Sequence, residues 1–149
     1  GDGHQQRTSP TTTELSTSNT PGHGGFILAP AAPNDWRTPQ NDNLWQGVAG
    51  INNPCPRGFR LPTATEWASE LASWSTGDAA GAFASPLKLL VAGFREFTEG
   101  TLIFAGINGY YWSSTVDGNN SRSLQFSGSS AGVWSSSRAA GLSVRCLKD

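Results

Sequence analysis

The chain predicts an α+β domain of short antiparallel sheets, one or two helices and long ordered loops, and three stretches carry that expectation. In Ser121-Arg122-Ser123-Leu124-Gln125-Phe126-Ser127, the apolar pair Leu124 and Phe126 alternates with polar residues, so a period of two puts them on one strand face and Ser123, Gln125 and Ser127 on the other. Tyr110 to Val116 reads as a second strand, and Asp117-Gly118-Asn119-Asn120 between the two has the turn chemistry of an antiparallel pair. Thr63-Ala64-Thr65-Glu66 is a capping box, with Thr63 as N-cap and Glu66 reaching back to its amide.

From the N-terminus, residues 1–21 are polar and rich in Thr, Ser and Pro and read as a flexible tail or linker, leaving 22–149 as the domain. Phe26-Ile27-Leu28-Ala29 is the first expected strand, ended by Pro30. Residues 31–53 read as an ordered, irregular excursion pinned by Trp36 and Trp45, and long ordered loops usually serve a purpose. Pro54 to Gly58 is a turn and Phe59-Arg60-Leu61 a short strand. The helix behind the capping box carries Trp67, Leu71 and Trp74 at i, i+4 and i+7 and is expected to end at Gly77. Asp78 to Ala84 adds a helical turn, Leu87 to Phe94 reads as a strand, Glu96 to Gly100 as a turn, Thr101 to Ala105 as a returning strand, and Gly141 to Leu147 as the last strand. The chain contains no internal repeat.

With 149 residues, the chain is one domain's worth. A net charge of −1 without a basic run argues against a dedicated nucleic-acid binder. No apolar run approaches the roughly 20 residues of a spanning helix. Six Trp, seven Phe and no Met leave much of the core to aromatics.

Ser127-Gly128-Ser129-Ser130-Ala131-Gly132-Val133-Trp134-Ser135-Ser136-Ser137 cannot make a core. It reads either as a flexible Ser/Gly loop or as a binding surface, in which small polar residues adapt their hydrogen bonds around a rigid aromatic. Tyr111, Trp112, Leu124, Phe126, Arg138, Val144 and Cys146 look like a fixed frame around it. Arg138 is expected to hold several backbone carbonyls of irregular loops, with direct ligand contact as the alternative.

Chemistry-bearing patterns are few. His4 and His23 lie in or at the end of the tail, and Ser135, Ser136 and Ser137 have no base nearby in sequence, so no catalytic residue is assigned. Asp117-Gly118-Asn119-Asn120 is too sparse in carboxylates for a calcium site; no metal site or cofactor is assigned, with a structural calcium elsewhere left open. Glu66, Glu70, Glu96 and Glu99 read as helix-cap and turn charges.

Taken in order, Asp35-Trp36-Arg37-Thr38-Pro39-Gln40, Leu44-Trp45-Gln46-Gly47-Val48, Asn52 through Thr63, Glu66-Trp67, Gly109-Tyr110-Tyr111-Trp112-Ser113-Ser114-Thr115-Val116 and Arg138-Ala139 through Gly141-Leu142-Ser143-Val144-Arg145-Cys146 form a specific set. From about His23 onward the chain resembles the variable proteins of diversity-generating retroelements, whose C-type-lectin-like domain is similar to the formylglycine-generating-enzyme fold and to the Fibrobacter succinogenes major paralogous domain. The resemblance implies a C-type-lectin-like fold with a variable region over about 110–141. In such proteins, error-prone copying at adenines diversifies Asn codons of the gene's 3′ end. It also implies a non-enzymatic ligand-binding protein displayed by a phage, virus or cell surface. A protein ligand is expected, a glycan is the alternative, and neither nucleic acid nor a membrane span is expected.

Carried over by position, the variable, ligand-binding residues are Asp117, Asn119, Asn120, Ser123, Gln125, Ser127, Ser130, Gly132, Trp134, Ser136, Ser137 and Ala140. The scaffold comprises Tyr111, Trp112, Leu124, Phe126, Arg138, Cys55 and Cys146. Gln125 and Trp134 depart from the pattern, since neither arises from an Asn codon by adenine changes alone. Trp134 is the expected binding hot spot, against a role as a core or lid tryptophan. The related enzyme works through an active-site cysteine pair, whereas Cys55 and Cys146 match framework positions of the binding branch, so its oxidase activity is not carried over. These two cysteines either form a disulfide, as oxidising surroundings favour, or stand as buried thiols. The rival to a diversified binder is a constant surface or secreted module of the Fibrobacter type with one fixed partner.

Overall fold

A computed structural model describes residues 9–149. Their elements are β1 (Thr11–Thr12), β2 (Phe26–Ile27), β3 (Phe59–Arg60), α1 (Ala64–Ala72), α2 (Ala79–Ala84), β4 (Phe94–Arg95), β5 (Leu102–Ile103), β6 (Gly109–Asp117), β7 (Asn120–Phe126), β8 (Ala131–Ser137) and β9 (Leu147–Lys148). This is a mixed α+β architecture. A three-stranded antiparallel sheet, β6-β7-β8, is its centre; β3-β9 and β4-β5 are antiparallel pairs and β1-β2 a parallel one.

The capping box forms as the sequence dictates: Thr63 Oγ1 accepts from the Glu66 amide at 3.2 Å, and Glu66 Oε2 accepts from the Thr63 amide at 2.8 Å. Arg60 makes a two-pronged bond to the Glu66 carboxylate at 2.8 Å, which holds that carboxyl down at about 2. α1 ends at Ala72, one turn earlier than Gly77, with Ser73 as C-cap. Trp74 lies beyond the helix but keeps its role, meeting Phe126 edge-on at 5.7 Å.

α1 lies across β6, β7 and β8. Beneath it Trp67, Tyr111, Leu124 and Phe126 are buried in one cluster with Ala82 and Leu89. The Trp67 indole donates to the Trp112 carbonyl at 3.0 Å, so its polar edge is satisfied inside. Because β-strand side chains alternate, Trp112 faces the other way, and a second cluster forms there with Leu61 and Ala140. Cys55 and Cys146 form a disulfide with an S–S distance of 2.08 Å, tying the turn before β3 to the segment before β9.

Besides the helix end, four expectations need correction. The tail boundary at residue 21 moves, because Thr11–Thr12 pairs with Phe26–Ile27, Ser16 is buried, and Arg95 donates to Ser9 Oγ at 2.7 Å. The rest of the expected tail, residues 1–8 with His4, lies outside the described residues. Leu87 to Phe94 is a strand only at its end. Tyr111 Oη donates to the Leu90 carbonyl at 3.1 Å and accepts from its amide at 2.9 Å, so a side chain stands where a neighbouring strand would. Gly141 to Leu147 is strand only from Leu147; before it, Gly141 bridges Arg95 and Ser143 bridges Tyr111. Ser127 to Ser137 is not a loop throughout, because 131–137 is strand β8. No helix among the described residues is long and apolar enough to cross a membrane.

Candidate functional site

The register of β7 and β8 sorts the candidate residues. In an antiparallel pair, directly opposed residues share a face. Arg122 opposes Ser135, Leu124 opposes Val133 and Phe126 opposes Ala131, and this face meets α1. The outward face carries Ser121 opposite Ser136, Ser123 opposite Trp134, and Gln125 opposite Gly132.

Trp134 leaves 46% of its surface exposed and is no core tryptophan. Its ring lies over Gly132, so close that a Cβ at 132 would stand 2.6 Å from the ring carbons. Beside it runs a hydroxyl and amide network: Ser123 Oγ lies 2.8 Å from Ser136 Oγ, and Gln125 Nε2 donates to Ser123 Oγ at 3.0 Å and to Ser136 Oγ at 3.1 Å. Gln125, Gly132 and Ser136 are half-buried.

Two expected ligand residues are corrected. Ser123 is fully buried, enclosed by Gln125, Ser136 and the Trp134 carbonyl, so it supports the face from below. Ala140 is buried against Leu61 and Trp112 and belongs to the core.

The remaining candidates gather at the two ends of the sheet. Asp117 and Asn119 are exposed at the β6–β7 turn, where Gly118 takes a φ of +58°, and Asn120 opposes Ser137 just behind. Ser135 Oγ donates to Asp117 Oδ2, and Arg122 Nη1 does so at 3.2 Å; both hold the Asp117 carboxyl below its ordinary range. At the opposite end Ser127 and Ser130 bond each other across the β7–β8 turn, 3.2 Å between hydroxyls. The sequence-predicted set is therefore one strip, two turns and two buried supports.

Arg138 does what was expected of it and more. Its Nη2 donates to the Gly118 carbonyl at 2.9 Å and its Nε to the Asn120 carbonyl at 3.3 Å, fastening the hairpin turn. Its charge is met by Asp42 at 2.7 Å and by the buried Asp35 at 3.7 Å, partners about 100 residues away that nothing local in sequence announces. The scaffold residues Tyr111 and Phe126 stack at 6.0 Å.

A cleft of about 50 Å³ lies where the 35–46 excursion meets the end of β6 and β7, walled by Trp36, Trp45, Trp112, Arg37 and Arg138 and edged by Ser121. The Trp45 Nε1–H and the Arg37 Nε–H are both buried and donate to nothing among the described residues. Trp45 sits at a φ of +64°, a left-handed conformation rare for so bulky a residue. Sequence reasoning did not assign this cleft; the available signal was the pair of isolated tryptophans in a long loop.

His23 Nδ1 accepts from the Gly25 amide at 3.2 Å, a local turn bond. Among the described residues, no group of three or more His, Cys, Asp or Glu side chains is arranged to hold a metal ion. No protein-family model matches the chain, and neither a curated protein nor a solved structure matches it.

Proposed function

We propose that the chain is a non-enzymatic ligand-binding module of C-type-lectin-like fold, whose β7–β8 face and flanking turns are diversified by a retroelement to recognise varied targets. The observation that carries this reading is the contrast across β7 and β8: aromatic and aliphatic packing under α1 on one side, and on the other a half-exposed strip of Gln125, Gly132, Trp134 and Ser136. Rigid aromatics among small polar groups suit protein recognition, and a protein is the ligand proposed, with a glycan as the alternative. Display on a phage, virus or cell surface follows from the same resemblance.

A second reading, a constant surface or secreted module of the Fibrobacter type with one fixed partner, is favoured by a different observation. The Ser123, Gln125 and Ser136 network is mutually satisfied, and exchanging one member alone strands the others' polar atoms.

Deep sequencing of the locus across its source population separates the two. Diversification predicts substitutions crowded at Asn119, Ser130, Trp134, Ser136 and Ser137, sparing Leu124, Phe126 and Arg138, with an adenine-bearing near-copy of the region nearby. A uniform segment without such a copy overturns it in favour of the constant module.

A further inference from the structure

The geometry points to the cleft beside β6 and β7 as a side-chain pocket for a carboxamide, taking the neutral carbonyl oxygen of an Asn or Gln from a bound protein. Its unmet capacity is donor capacity. Trp45 Nε1–H and Arg37 Nε–H are buried without an acceptor, while Arg37 Nη1 is engaged by the Pro39 carbonyl. Buried donors in native proteins are almost always paired, so two on residues that line one cleft call for an occupant that brings an acceptor.

Size and charge narrow the occupant. About 50 Å³ holds a few waters or the end of one side chain, not a sugar ring. The charged walls, Asp35 and Asp42 against Arg37 and Arg138, sum to zero, and Arg138 is already engaged by both carboxylates and two carbonyls. An incoming carboxylate would add a third negative charge to a partly desolvated site. A carboxamide adds none. Its oxygen serves the two N–H groups, and its own NH₂ can donate to the Asp42 carboxylate, of which Arg138 engages only Oδ1. The left-handed backbone at Trp45, closed by its amide donating to the Ile51 carbonyl at 2.8 Å, is local strain of the kind that collects at ligand sites. Val116 and Ser121, which pair across β6 and β7, edge the cleft, and Ser121 opposes Ser136, so the pocket continues from the exposed strip. That a protein bears the carboxamide rests on the binding-module reading; the chemistry of the pocket does not.

The test is an NMR titration of the ¹⁵N-labelled full chain, with the Trp45 indole signal assigned by Trp45→Phe and the probes acetamide, acetate and methyl glucoside. Acetamide is expected to move the indole proton downfield and saturably, at least tenfold more tightly than acetate, and Arg37→Lys to weaken it at least fivefold. Acetate or methyl glucoside binding as tightly as acetamide overturns the assignment, as does a non-saturating response to all three, which would mean that water alone serves the donors. No partner protein is needed, so failure here leaves the sheet-face reading standing, and failure of that reading leaves this pocket standing.

Discussion

Along β7, Leu124 and Phe126 are sealed beneath α1 at 0% and 2% exposure, whereas one strand over and facing outward Trp134 leaves nearly half of its surface in water. The same sheet thus carries two kinds of position a few ångströms apart. On the inward side a side chain is fixed by shape, because Trp67, Tyr111 and Phe126 pack on one another. On the outward side of β8, Trp134 and Ser136 are constrained by hydrogen bonding and by the backbone they cover, while Ser123 beneath them is buried. The difference teaches that strand parity separates side chains that pack the core under α1 from those that the proposed function assigns to binding, with Arg138 fastening the β6–β7 turn and the disulfide the ends of the frame.

The comparison breaks hardest at the frame. Replacing Cys55 and Cys146 by Ser should lower stability by about 4–5 kcal/mol in denaturant unfolding, given a closed loop of 91 residues in the chain-entropy account. A loss near zero would remove the disulfide from the frame. Leu124→Ala should cost about 3 kcal/mol by leaving a cavity under α1; thermal unfolding checks it. Ser123→Ala should cost about 1 kcal/mol, because Gln125 and Ser136 each lose a partner at a buried site. A neutral effect would return Ser123 to the exchangeable set.

Acid sharpens the same contrast. Bonding to Arg60 lowers the folded Glu66 carboxyl from 4.5 to about 2, so the stability it contributes is complete above 4.5 and lost as pH falls towards 2. Glu66→Gln should therefore flatten the acid limb of a stability-versus-pH curve across that window, and an unchanged limb would show that the frame does not depend on this pair. Trp134→Ala should cost about 1–2 kcal/mol, less than a core truncation because the ring is nearly half in water. The same variant should abolish ligand binding; a large fall in melting temperature would instead put Trp134 in the frame.

What the sequence made legible were elements specified by near neighbours. The Thr63–Glu66 box, the Leu124/Phe126 alternation and the Asp117–Asn120 turn each carry their own instruction. β8 does not. Its inward residues Ala131, Val133 and Ser135 make no apolar alternation, and it is a strand because β7 offers it a ladder. Leu87 to Leu90 fails in the opposite sense: its apolar run reads as strand, yet Lys88 takes a φ of +51° and Tyr111 satisfies the backbone of Leu90. In the candidate site, parity predicted which face is exposed but not that Ser123 sits under its neighbours. The two carboxylates on Arg138 and the Trp45 cleft depend on contacts that only the folded excursion creates.

The indole of Trp134 resting on the bare Cα of Gly132 has a combinatorial consequence. Any residue other than glycine at 132 must push the ring aside, so what position 134 presents is decided partly at 132. If the proposed binding face is right, the two sites would act as a single letter of a recognition alphabet, not two. A repertoire built on this face would be smaller than the product of its positions, and its members would show correlated, not independent, usage at 132 and 134.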